Sequence, residues 1–123
     1  EDFSKTTYLR DDDLETLHMA VVIGNKVVTC ATFYPQLSKK ITAQNPYRLR
    51  GMATDLNYQR KGYAKDLMTE SFKELKQRGC DMLWCNARLV AVGFYKYMGF
   101  RIVGGLFDIA GIGPHYYMYK KIY

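Results

Sequence analysis

Residues 52–64, Met-Ala-Thr-Asp-Leu-Asn-Tyr-Gln-Arg-Lys-Gly-Tyr-Ala, constrain the fold more than any other stretch of the 123-residue chain. A strand pattern runs out there, a short turn follows, and a long amphipathic helix begins. The first four NH groups of a helix have no acceptor within it, and the macrodipole places roughly half a positive charge at the same end. A phosphate can therefore be held there by backbone alone. Gly62, without a Cβ, lets an anion approach the main chain, and Ala64 keeps the next inward position small. Arg60, Lys61 and Lys65 add positive charge around the same turn. The two better-known phosphate loops do not fit. There is no Gly-x-x-x-x-Gly-Lys-Ser/Thr, and the nearest approach to Gly-x-Gly-x-x-Gly starts at Gly111 and Gly113 but has Tyr116 in the third place.

The length suits one domain that buries about two thirds of the surface its unfolded chain exposes, with no room for a second. Aromatic residues make up 15% of the chain, with eleven Tyr, which suits a lined pocket or groove. The net charge of +6 favours an anionic ligand. The lysines are scattered over every segment, where a nucleic-acid surface would gather them on one face, so nucleic acid is not expected as a partner. Cys30, Cys80 and Cys85 cannot all pair, and two of them lie in apolar runs, so the expectation is reduced thiols in a cytoplasmic setting. Cys80 and Cys85 with His18 or His115 lack zinc-finger spacing, and no metal is expected. No window approaches the roughly twenty apolar residues of a membrane span and no signal peptide is visible, so no membrane is expected either.

Taken in order, residues 1–13 are polar and acidic, end in Asp11-Asp12-Asp13, and read as a loop. Leu17–Ile23 and Val27–Tyr34 are strand-like and flank Gly24-Asn25, a two-residue hairpin signal. Residues 35–46 read as an exposed, mobile connection whose lysines face solvent. Tyr47–Leu56 is a third strand, with Gly51 marking a bulge or a close approach. The helix after Gln59 carries Ala64, Leu67, Met68, Ser71 or Phe72, and Leu75 on one stripe and stops at Gly79. Met82–Asn86 is a short central strand, joined to the third by a right-handed parallel crossover. Arg88–Met98 is a second helix capped by Gly99. Phe100–Ile109 and Tyr116–Ile122 close the chain as a hairpin across residues 110–114.

This order, β-β-β-α-β-α-β-β, with Gln59-x-x-Gly62-x-Ala64 at the first helix and Asn86-Ala87-x(6)-Phe94-Tyr95-x-x-x-Gly99-Phe100 at the second, resembles the GNAT superfamily of acyl-coenzyme A dependent N-acyltransferases. The resemblance covers about residues 15–123, and the ending Gly113-Pro114-His115-Tyr116-x-Met118-Tyr119-Lys120 is similar to small bacterial members without an assigned substrate. It implies an α/β fold: a mixed, mostly antiparallel sheet, a central parallel strand pair splayed at a bulge, and flanking helices. The family opens with another strand and one or two helices that build much of the acceptor pocket, and these have no visible counterpart. The expectation is therefore a single acyl-CoA N-acyltransferase-like domain over residues 1–123, incomplete at its N-terminus. Strand edges left by a lost first strand would invite pairing with another molecule, which makes a homodimer one expectation.

The resemblance implies that backbone NH groups around Gln59, Arg60, Lys61, Gly62, Tyr63 and Ala64 hold the pyrophosphate of coenzyme A. Met52, Ala53 and Thr54 would pair through their main chain with the pantetheine arm. The thioester would enter the gap between the two parallel strands, Asn86, Ala91 and Phe94 would line its far side, and Tyr95 would point its hydroxyl at the sulfur. The chemistry asks for such groups. An alkyl amine, with a pKa of about 10.4, arrives protonated and needs a base or a water chain before it can attack. The thiolate expelled, of thiol pKa about 8.5, is readily protonated by a nearby neutral phenol. Tyr95 is the candidate acid. His115 is the candidate base, since imidazole exchanges protons in the right range; Asp108 and a water held near Asn86 are alternatives. His18 is expected to face sheet or solvent. Cys85 lies beside the cleft, but nothing in the sequence places a base to activate it as a nucleophile.

Two function classes follow. One is an N-acetyltransferase moving an acetyl group from acetyl-CoA to a primary amine of a small molecule or peptide, by direct attack in a ternary complex. The other is a coenzyme A-binding module without turnover, a sensor or a subunit of an assembly.

Overall fold

A computed structural model describes residues 6–13 and 16–123, with side chains described from Thr16 onward. Strand β1 (Thr6–Asp13) pairs antiparallel with β2 (Thr16–Ile23), from Thr6 opposite Ile23 to Asp13 opposite Thr16. This corrects the expectation of a loop over residues 1–13, of which residues 1–5 lie outside the described residues. Three successive aspartates are poor strand formers, but strand propensity is a weak preference that an eight-residue ladder to a neighbour overrides. It also corrects the expectation that no strand precedes Leu17. Only two residues separate β1 from β2, which leaves no length for helices between them.

Gly24, at φ 62°, turns β2 into β3 (Lys26–Pro35), and β4 (Pro46–Thr54) returns antiparallel to β3. A 3-10 turn at Leu56–Tyr58 precedes α1 (Tyr63–Gln77), so the third strand ends at Thr54, two residues earlier than its pattern suggests. β5 (Met82–Arg88) follows, parallel to β4. Arg88 is extended and pairs with His115, so the second helix does not begin there. A 3-10 turn over Leu89–Ala91 leads into a short α2 (Val92–Tyr97) instead. β6 (Arg101–Ile109) and β7 (Gly113–Lys121) form the last hairpin, with Gly113 and Pro114 already in the strand. One seven-stranded sheet results, in the order β1-β2-β3-β4-β5-β7-β6, and β4 with β5 is its parallel pair.

Alternation along the strands divides the sheet into two faces. Leu17, Met19 and Val21 of β2 join Phe33, Leu49 and Leu83 on the face covered by Leu67, Met68 and Leu75 of α1, and all belong to one apolar core. The other face carries Thr32, Tyr34, Arg48, Arg50, Trp84 and Tyr117. Residues 36–45 cross part of that face and are tied to it, unlike the loose connection their composition suggests. The Asp81 carboxylate accepts the NH groups of Gln44 (2.7 Å) and Asn45 (2.9 Å), Trp84 donates Nε1–H to the Gln36 carbonyl (2.9 Å), and the Tyr117 hydroxyl donates to Ser38 Oγ (2.7 Å). Lys40 is not merely solvated: its ammonium lies 5.0 Å from the Tyr117 ring and 5.1 Å from that of Phe107.

Leu67 is fully buried between α1 and the sheet. Leu67→Ala removes that packing and should lower unfolding free energy by about 2–5 kcal/mol. Urea denaturation followed by circular dichroism measures it.

Candidate active site

The parallel pairing of β4 and β5 lasts for three rungs, Pro46–Met82, Tyr47–Leu83 and Arg48–Trp84, and then stops. Its end coincides with a bulge. On β4, Gly51 and Met52 stand between partners Arg50–Thr32 and Ala53–Cys30, where β3 supplies Ala31 alone. The extra residue bends its strand, and Gly51 takes the left-handed φ of 70° that this needs at no side-chain cost. β5 meanwhile stays paired to β7 as far as Arg88. The two strands diverge around a half-open cleft of about 370 Å³, walled by Leu49–Met52, by Cys85–Arg88 and by Ala91, Tyr95 and His115.

At the far end of β4, Asp55 accepts the NH of Asn57 (2.9 Å) and pairs with Lys26 (3.3 Å), and it fixes the 3-10 turn before α1. The NH of Asn57 and the Lys26 ammonium hold the Asp55 carboxyl below its usual pKa. Arg60 then adopts φ 63°, the one positive value at a non-glycine among the described residues, and Gly62 follows at 85°. Changes of hand along successive residues turn NH groups to one side and form anion-binding concavities. Gly62 caps α1 without a side chain, and nothing stands within 4 Å of where a Cβ would be. Gly62 is thus open to solvent at the start of α1.

Tyr95 lies on the helix side of the cleft. Its ring packs edge-on against Phe94 (5.5 Å) and Phe100 (5.2 Å). Burial pushes its phenol pKa up, with Cys85 adding to the effect and Arg88 opposing it, so the neutral hydroxyl is the form present. His115 is buried on the opposite face, in register with Arg88. Its Nδ1 is 2.8 Å from the Gly113 carbonyl. A carbonyl only accepts, so Nδ1 carries a proton there, which leaves Nε2 as the ring nitrogen that can accept one.

Met52, Asn86, Ala91, Tyr95 and His115 therefore meet at one cleft. Ala53 and Thr54 continue β4 from it towards the cradle formed by residues 59–64. Phe94 packs on Tyr95 without lining the cleft, and Asp108 is exposed and outside it. His18 is exposed on β2, 3.0 Å from Thr32 Oγ1. Sequence reasoning missed Arg48 and Arg50, which also line the cleft. Their spacing of two on a strand, beside core-facing Tyr47 and Leu49, was the available signal that both project to one non-core face.

The acetyltransferase (GNAT) family profile matches residues 1–100. YitI, an uncharacterized N-acetyltransferase of Bacillus subtilis (strain 168), is 35% identical over 115 residues, which covers 94% of this chain and 77% of that protein. Among solved structures, an aminoglycoside 6'-N-acetyltransferase complexed with coenzyme A is similar with a TM-score of 0.75 at 17% identity, over 90% of this chain and 75% of that one. The ribosomal-protein-S18-alanine N-acetyltransferase from Escherichia coli gives 0.67 at 22% identity, over 90% and 72%. At these identities the two structures speak to the fold alone.

The cleft thiol is not set up as a nucleophile. Burial pushes Cys85 up to about 12, against the pull of Arg48, and Cys80 up to about 11, while Cys30 is exposed. The Cys85 thiol stays protonated at pH 8. Iodoacetamide should therefore label Cys30 and spare Cys80 and Cys85 in the folded protein, as read by peptide mass spectrometry.

Proposed function

Since the chain belongs to the acetyltransferase (GNAT) family, we propose that it transfers an acetyl group from acetyl-CoA to a primary amine by direct attack in a ternary complex. The observation that carries this reading is the slot between β4 and β5, with a buried neutral phenol on one side and an imidazole of assigned tautomer on the other. Coenzyme A in the structure of the aminoglycoside acetyltransferase supports the choice of acyl donor.

In this reading the amides from Arg60 to Ala64 hold the diphosphate, where the helix start concentrates NH donors and positive potential. Met52, Ala53 and Thr54 pair with the pantetheine arm, and the thioester rests between Asn86 and Tyr95. The protonated acceptor first gives a proton to Nε2 of His115, directly or through one water. The freed nitrogen then attacks the carbonyl carbon, a C–N bond forms as the C–S bond breaks, and the nitrogen sheds its second proton to solvent to leave the neutral amide. Tyr95 delivers its hydroxyl proton to the departing sulfur, and the proton held by His115 restores the phenol through solvent. Acid and base stand on opposite faces of the sheet, so the amine and the sulfur do not compete for one group.

Thiol release from acetyl-CoA, measured over amino acids, polyamines, aminoglycosides and peptides, tests the proposal together with Tyr95→Phe. The variant should lose on the order of 10²-fold in kcat while coenzyme A affinity by calorimetry stays within about threefold. Burial raises the Tyr95 pKa, so the competent acid persists as pH rises, and kcat should not fall as pH passes about 10, the ordinary tyrosine range. Full activity of the variant would remove the acid assignment. Coenzyme A binding without transfer to any amine would point to a binding module.

A further inference from the structure

The cleft carries more positive charge than acetyl transfer needs. Arg48, Arg50 and Arg88 line it, and among the described residues no carboxylate lines it or pairs with any of the three. Arg48 is the informative one. It occupies the last rung of the parallel pair, opposite Trp84, at the closed end of the slot. Its guanidinium lies 4.9 Å over the Trp84 ring, and Nη1 reaches Gln36 Oε1 at 3.4 Å. These contacts hold the group in place without neutralising it. Its Nε–H is buried and has no acceptor among the described residues. Arg50 projects from the same face, and its Nη1 donates to the Tyr34 hydroxyl at 3.5 Å.

This charge is not placed for the donor's diphosphate. Arg48 is six residues before Thr54 on β4, so it stands about 20 Å from the strand end that leads to the α1 cradle, at roughly 3.3 Å per residue. It is much closer to the reacting centre: Trp84 precedes Asn86 by two residues on β5, about 7 Å along the strand. A guanidinium fixed by stacking and offering unpaired N–H donors is suited to a carboxylate or phosphate, which takes two parallel hydrogen bonds from it. A second cation would meet three like charges instead.

The geometry points to an acceptor whose amine lies a few bonds from an anionic group, a carboxylate or phosphate bound by Arg48 with Arg50, and it disfavours polyamines and other polycations. This inference rests on the acetyl-transfer reading and names its acceptor class. The tests pair acceptors that differ in the anion alone: glycine, β-alanine and γ-aminobutyrate, each against its primary amide; phosphoethanolamine against ethanolamine; and spermidine as the cationic comparator. At least one anionic acceptor should exceed its neutral partner by roughly tenfold to a hundredfold in kcat/KM, chiefly through KM. The carboxylate and phosphate arms show which anion is meant. Arg48→Met should collapse the ratio within the preferred pair, and Arg48→Lys should restore part of it. Equal rates within every pair, or preference for spermidine, would overturn the inference while leaving acetyl transfer intact.

A binding arm needs no turnover. In arginine-labelled protein saturated with coenzyme A, N-acetylglycine should shift the Arg48 Nε–H resonance and N-acetylglycinamide should not. That shift without transfer to any amine would sink the transfer reading alone, and no shift with either compound would count against the anion site.

Discussion

The cleft in this molecule depends on the parallel ladder between β4 and β5 ending after Arg48 and Trp84. In the middle of a seven-stranded sheet the default is continued pairing, because each buried NH and carbonyl needs a partner. Here β4 takes one extra residue at Gly51–Met52, opposite Ala31, and bends, while β5 stays attached to β7 along its other edge. The result is a pair of facing backbone edges with no ladder between them. They are held apart by hydrogen bonds on their outer sides, and so they can pair with something inserted.

The two faces of the sheet give that slot its polarity. One face is apolar and closed by α1 and α2, and it supplies a desolvated site where a phenol stays protonated. The other is rich in guanidinium, indole, phenol and imidazole groups, and residues 36–45 are pinned across part of it by Asp81, Trp84 and Tyr117. The slot is therefore bordered by an aromatic interior on one side and by a polar, positively charged surface on the other. The turn before α1 holds one strained residue, Arg60, whose left-handed conformation persists between the 3-10 turn fixed by Asp55 and the start of α1.

From Leu17 onward the element order was legible because periodicity and breakers agreed: Gly24-Asn25 between two strand runs, the Leu67, Met68 and Leu75 stripe, and Gly79 and Gly99 after helices. The bulge was legible too, since Gly51 inside a strand pattern marked it, and Gly51 takes a positive φ there. β1 was not, because Asp11, Asp12 and Asp13 have little local preference for extension and are held in the ladder by β2. Nor was the anchoring of residues 36–45, which depends on Asp81, a residue 36 positions from Asn45. The start of α2 was misjudged for a related reason: Arg88 would suit a helix, but its pairing with His115 keeps it in β5. Tertiary pairing decided each of these cases against local pattern. The motif around Asn86 and Tyr95 pointed to residues that line the cleft, whereas the hydrogen bond of His115 to the Gly113 carbonyl and the free N–H of Arg48 exist only in the folded geometry.

The most direct measurement is a titration of ¹⁵N-labelled protein with coenzyme A, followed amide by amide. If the slot and the cradle form one site, the amides of Gly62, Tyr63 and Ala64 at the helix start and those of Met52, Ala53 and Thr54 on β4 should shift together and saturate with a single affinity. Shifts confined to the helix start, with β4 unmoved at saturation, would mean that the diverging strands do not receive the pantetheine arm, and would contradict the account.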